Sequence, residues 1–135
     1  MSTSIKEFLS PKTLMAPVGY SHIAKASGGT TVYLAGQVAC DASGKLIGEG
    51  SLETQAEQVF KNLKSAVEAA GGAMADIVKM NVYLVAELGA DEVPKFRVIR
   101  DRYVSTAHPP ASTLVVVSRL ARPGWLIEIE AIAVI

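Results

Sequence analysis

Two carboxylates near the C-terminus are the first residues that could do chemistry. Trp125 to Ile135 alternates, so Ile127, Ile129, Ala131, Ala133 and Ile135 share one face of a strand. Glu128, Glu130, Ile132 and Val134 share the other. A carboxylate on a mostly buried face must be paired, solvated by a cleft or protonated, because burying it bare costs about several kcal/mol. In a cleft, a partly desolvated carboxylate has a raised pKa and can serve as a general base toward water. The competing role is an ion pair. His22 and His108 are the only histidines, and neither has a Cys or Ser partner at a recognisable spacing. No metal cluster can be assembled from them. Cys40 is the single cysteine, which excludes a disulfide within the chain and suits an inert small residue. Gly28-Gly29 lies in a hairpin turn between strands, not before a helix, so it is no phosphate loop. Lys95, Arg97, Arg100 and Arg102 form a basic flank that reads as a solvated helix face.

Regular elements must hold these groups in place. Residues 1 to 18 carry Pro11 and Pro17 and read as an irregular arm. Tyr20 to Ala26 suits a first strand, and Thr30 to Gly36 is a strong one by β-propensity. Ser51 opens a helix whose apolar stripe runs from Leu52 through Val59, Phe60, Leu63 and Val67 to Ala70, stopped by Gly71-Gly72. Gln55 falls largely away from that stripe. Ile77 to Val85 is a strand. A second helix follows Asp91, with Pro94 in its first turn and Val93, Phe96, Ile99 and Tyr103 as its stripe. Ala111 to Ser118 is Val-rich, and Arg122-Pro123-Gly124-Trp125 supplies a tight turn before the last strand. The last two strands therefore read as a hairpin. The order β-β-α-β-α-β-β predicts an α+β domain, a mixed sheet with helices packed against it.

The 135 residues suit one domain spanning 1–135. With 13 basic and 13 acidic residues, the chain lacks the electrostatic footprint of a nucleic-acid or anionic-membrane binder. No apolar run reaches membrane-spanning length, the N-terminus lacks the apolar core of a secretory signal, and the lone cysteine suits a reducing compartment, most simply the cytoplasm. Several strands are apolar on both faces. Leu114 and Val116 oppose Val115 and Val117, and Val32 and Leu34 oppose Tyr33 and Ala35. Two helices cover one face of such a sheet, so the other predicts a homo-oligomer whose sheets meet there.

Four blocks in order then carry a resemblance. Gly19-Tyr20-Ser21-His22 with VYLAGQ (Val32 to Gln37), the helix end VEAAGG, the strand DIVKMNVYL and the tail PPAST…SRLARPGWLIEIEAIAV resemble the Rid family, the reactive-intermediate deaminases also called the YjgF family. The resemblance covers nearly all of the chain after about residue 15. It implies a chorismate-mutase-like (YjgF-type) fold, with two helices on one face of a mixed sheet, assembled as a homotrimeric barrel with clefts between subunits. It implies hydrolysis of small enamines and imines to a carbonyl product and ammonia, with neither metal nor cofactor. By position, Tyr20 matches a cleft tyrosine, Gly36 a glycine whose backbone lines the site, and Glu128 the carboxylate that holds the attacking water. A helix position that is often asparagine falls near Arg97.

The chain departs from the family at Ser112. RidA-type members read Pro-Ala-Arg where this chain reads Pro110-Ala111-Ser112, and that arginine grips the substrate carboxylate. Charge-assisted bonds of this kind contribute about 1.5–3 kcal/mol each where water is excluded, so their loss weakens binding by about tenfold to hundredfold or more. Either Arg97 or His108 supplies a cation from another direction, or the substrate lacks that carboxylate and the Ser112 hydroxyl and Thr113 amide grip a neutral group. The leading expectation is an imine or enamine hydrolase with altered substrate choice. The alternative is a non-catalytic relative that binds a small ligand or a protein at the cleft between subunits.

Overall fold

A computed structural model describes residues 4–135. The strands are β1 (Ile5–Leu9), β2 (Ile23–Ser27), β3 (Thr31–Gln37), β4 (Ile77–Val85), β5 (Ala111–Val117) and β6 (Ile127–Val134). The helices are α1 (Leu52–Ala69) and α2 (Glu92–Arg100), and a single 3-10 turn at Met74–Asp76 leads into β4. The result is α+β, with both helices on one face of a mixed sheet, as expected. Residues 1–3 of the expected N-terminal arm lie outside the described residues. The rest of that arm is not wholly irregular: Ile5–Leu9 pairs antiparallel with β2 in a small sheet of its own.

The main sheet has the order β3-β6-β4-β5. β6 is antiparallel to both neighbours, and β5 runs parallel to β4 through the α2 crossover. This corrects two sequence readings. β5 and β6 do not form a hairpin, because β4 lies between them. The turn before β6 does form, with the Trp125 amide donating to Arg122 O at 3.4 Å. It carries the chain past the end of β4, where the Ala86 amide donates to Val117 O at 2.8 Å and the Val85 amide to Leu126 O at 3.1 Å. Nor does Gly28-Gly29 join a hairpin, since β2 pairs with β1 and β3 with β6. Turn chemistry reverses a chain locally, but it does not choose the neighbour when a third strand offers a better-buried ladder.

The core lies between the helices and the alternate residues of the sheet. Ile127, Ile129, Ala131 and Ala133 of β6 meet Val59, Phe60, Leu63 and Val67 of α1, all buried. Phe60 stacks between Phe96 at 6.1 Å and Tyr103 at 5.2 Å, which locks α1 to α2. Tyr103 makes that contact from the turn after α2, not from the helix. Ser51 caps α1 as its hydroxyl accepts from the Thr54 amide at 3.2 Å.

Gln55 departs from the expected pattern. It is fully buried, and its side chain is satisfied by backbone alone. Nε2 donates to Gly124 O at 2.9 Å and to Gly48 O at 3.2 Å, and Oε1 accepts from the Leu126 amide at 2.9 Å. One helical side chain thus holds two loops. Replacing it by leucine keeps the bulk but leaves buried backbone groups unpaired, at about 1–3 kcal/mol each. Gln55→Leu is expected to lose about 2–4 kcal/mol of stability in urea unfolding.

Candidate functional site

The sequence-predicted residues fall into two groups. Tyr20, Arg97, Ser112 and Thr113 line one cavity of about 500 Å³ at the outer edge of β5. Gly36 and Glu128 line another of about 290 Å³ with Tyr83, Arg119 and Glu130.

The segment carrying Tyr20 is pinned to the start of β5. The Ser21 amide donates to Pro110 O at 3.1 Å, its hydroxyl donates to Pro109 O at 2.7 Å, and Ser21 bridges Ala111. Tyr20 packs edge-on to His22 at 5.3 Å, and the His22 ring contacts Met15 O at 2.6 Å through Nε2. Ser112 opposes Met80 of β4, a core residue, so it shares the helix-covered face. Thr113 opposes Asn81 on the other face, where its hydroxyl accepts from Lys79 Nζ at 2.9 Å. His108 does not line this cavity. Its ring lies 6.5 Å from that of Phe8 in β1, and its amide donates to the Ser105 hydroxyl.

Arg100 was misread as part of a solvated flank. It is only 6 % exposed and lines the same cavity. A side chain on Gly19 would begin 1.8 Å from Arg100 Nη2, and Gly19 sits at φ +76, so no other residue suits that position. The signal was available: Phe96 and Arg100 are four residues apart and therefore share one helix face. Lys79 of β4 also lines the cavity.

The second group is organised by a bulge. The β3–β6 register shifts by one residue between Leu34 and Gln37, the irregularity that re-aims a strand. It brings Gly36 under the Glu128 carboxylate. A Cβ on Gly36 would sit 2.1 Å from Glu128 Oε1, so the absent side chain is what admits the acid. The two carboxylates then diverge. Glu130 Oε1 accepts from the Tyr83 hydroxyl at 2.5 Å and from Asn81 Nδ2 at 3.3 Å. Glu128 makes no hydrogen bond or ion pair among the described residues. Burial, with a smaller contribution from the Glu130 charge, pushes the Glu128 pKa above the ordinary carboxylate value. Hydrogen bonding to Glu130 raises the Tyr83 phenol as well.

The two groups do not meet within one chain. Ser112 pairs with Met80 and Glu128 with Tyr83, which places them three residues apart along β4 and on its opposite flanks. At about 3.3 Å per residue and about 4.8 Å per strand, their Cα atoms are about 14 Å apart. They also lie on opposite faces of the sheet. The outer face between them carries Tyr33, 77 % exposed, and Val115, 40 % exposed, uncovered by any helix. Among the described residues, no three His, Cys, Asp or Glu side chains are grouped to hold a metal ion, and no helix is long and apolar enough to cross a membrane.

A family profile described as endoribonuclease L-PSP matches residues 11–135. A RutC family protein of Pyrococcus horikoshii is 35 % identical over 130 residues, which is 96 % of this chain and 98 % of that one. A protein of Dermatophagoides farinae named 2-iminobutanoate/2-iminopropanoate deaminase is 32 % identical over 133 residues, 98 % of each chain. Among solved structures, a protein of unknown function from the conserved Rid family of Yersinia pestis superposes with a TM-score of 0.89 at 35 % identity, covering 96 % of this chain and 98 % of that one. RidA of an Antarctic Psychrobacter superposes with a TM-score of 0.69 at 34 % identity, covering 96 % and 99 %.

The geometry at Glu128 sets a stability test. A carboxyl whose pKa rises on folding binds its proton more tightly in the folded state, so its ionised form costs stability above the ordinary value of 4.5. Glu128→Gln removes that cost. The variant should melt higher than the parent at about pH 7.5, and the gain should vanish near about pH 4, where the parent carboxyl is protonated. Thermal melts at the two pH values check it.

Proposed function

The chain belongs to the Rid (YjgF) family, and from that premise we propose that it is a hydrolytic deaminase of small enamine and imine intermediates. One observation carries the reading: the unpaired, half-buried Glu128 carboxylate seated over Gly36, with its pKa raised by burial. A carboxylate with a raised pKa takes a proton more readily, which is what a general base needs. Glu128 holds a water against the imine carbon and takes one of its protons as the C–O bond forms. The proton passes to the nitrogen of the resulting carbinolamine. Glu128 then takes the hydroxyl proton and hands it to the nitrogen as the C–N bond breaks, so the carbonyl forms and ammonia leaves. An enamine first takes a proton on carbon to become the imine. Water and imine are consumed, carbonyl product and ammonia appear, and Glu128 ends as it began.

A complete site in this reading needs more than one copy of the chain. Glu128 and Gly36 lie about 14 Å from Ser112, on the other face of the sheet. A homotrimer in which the outer sheet faces meet brings one copy's Glu128 toward the next copy's Tyr20 and Ser112. The exposed Tyr33 and Val115 support such a contact. Tyr20 then closes one wall, and Ser112, Thr113 and Arg97 face the substrate's remaining groups. Substrate choice differs from that of arginine-bearing relatives, because a serine hydroxyl cannot replace a guanidinium fork.

Two experiments test this. A pyridoxal-phosphate dehydratase generates 2-aminoacrylate, and the semicarbazide-trapped intermediate is followed with and without the protein. The protein should speed its loss, and Glu128→Gln should slow that by about 10²-fold to 10⁴-fold while leaving the fold intact. A full rate in the variant removes Glu128 from the mechanism, and no activity in the parent favours a ligand-binding relative. Light scattering should find a trimer at micromolar concentration, and Tyr33→Asp should shift it toward monomer. A monomeric parent would refute the shared cleft.

A further inference from the structure

We propose that Arg100 provides the anion grip absent at Ser112, and that the substrate therefore carries a carboxylate. This rests on the reading of the cleft as a deaminase site, and it narrows that reading to 2-imino acids. Position 112 suggests two possibilities, an anionic substrate held from elsewhere or a neutral one. The cavity decides between them.

The first ground is charge. The residues lining the cavity include Lys79, Arg97 and Arg100, with no aspartate or glutamate. A concave, partly water-excluding wall with three cations attracts an anion and disfavours a neutral or cationic ligand. The second ground is what Arg100 leaves unused. Nε donates to Asp101 Oδ1 at 2.9 Å, and Nη1 reaches Val18 O at 3.4 Å, near the outer limit of a hydrogen bond. Nη2 makes no hydrogen bond among the described residues. A guanidinium has five N–H donors, and this residue is only 6 % exposed while its Nη2 donors remain available on the cavity side. Asp101, its only ion-pair partner among the described residues, is itself well exposed, so its compensation is screened by water. The third ground is placement. Gly19 gives up its side chain to the guanidinium, and Ser21 fixes that segment against Pro109 and Pro110. Arg100 is therefore held beside Tyr20 and Ser112 by the segment that carries Tyr20. Arg97 and Lys79 lack such a seat: Lys79 is bonded to Thr113, and Arg97 makes no side-chain hydrogen bond or ion pair among the described residues.

A purely structural role predicts something different. Arg100 would then staple Val18 to α2, and its loss would lower stability without touching ligand choice. The probe pair is 2-oxobutanoate and 2-oxobutanamide, which differ only in the charged group. By calorimetry the parent should bind the acid at least about tenfold more tightly than the amide. Arg100→Met should abolish that preference, and Arg100→Lys should restore part of it, because lysine keeps the charge without the fork. In the parent, the Arg100 Nε–H resonance should shift on titration with the acid and not with the amide. This measurement stands even if Arg100→Met does not fold. A folded Arg100→Met that keeps the preference, or an Nε–H resonance indifferent to the acid, overturns the proposal. Acid binding through Arg100 without ammonia release would sink the deaminase reading and leave the anion site standing. Turnover with no preference for the acid would do the reverse.

Discussion

The structure depends on β6 being an interior strand with a helix on only one of its faces. Its odd-numbered residues meet α1 and are buried without exception. Glu128, Glu130 and Ile132 face away from both helices, yet they remain half-buried, because β3 and β4 flank them and a bulge draws β3 close. Acidic side chains placed there must find partners or accept a raised pKa. Glu130 finds Tyr83 and Asn81 on the neighbouring strand. Glu128, two residues earlier, meets the bulge instead, where Gly36 offers space and no donor side chain. The chemical difference between two acids of one strand thus follows from one extra residue in the strand beside them.

That extra residue explains part of what sequence could and could not show. The alternation of β6, the α1 stripe, the Ser51 cap and the Val-rich β5 are periodic or local, and they were legible from residue types alone. The strand order was not. β5 and β6 are separated by β4, and a tight turn between two apolar runs looks the same whether or not a third strand lies between them. Gln55 and Arg100 were misjudged for a related reason. Both are polar, so both were assigned to solvent, although Gln55 lies beside Ala56 and Val59 and Arg100 one turn beyond Phe96. Burial of a polar group depends on partners distant in sequence: Gly124 and Leu126 for one, Val18 and Gly19 for the other. The candidate site was legible as a set of residues through family likeness, and Glu128 also through its position on an apolar face. Its division into two places was not, because that follows from register along β4.

The division has an electrostatic logic. Glu128 shares its cavity with Glu130 and Arg119, and Arg97 and Arg100 line the separate cavity at the β5 edge. Had Glu128 also shared a pocket with Arg97 and Arg100, their fields would have opposed the upward shift that burial and Glu130 give its pKa. The serine at position 112 fits this arrangement, since a further guanidinium there would stand beside Arg100 and repel it.

The bonding of Gln55 has a consequence for motion. The loop ending at Gly48 and the turn entering β6 are both hydrogen-bonded to the first turn of α1 through Gln55. Neither can open without releasing that amide, and release exposes the polar groups of both. The two loops therefore fluctuate as one cooperative unit whose opening is linked to undocking of the helix start. Since β6 begins at Ile127, one residue beyond the anchored Leu126, such an opening would also loosen the strand position that carries Glu128. Slow breathing at a distant helix terminus is in this way coupled to the alignment of the Glu128 carboxylate over Gly36.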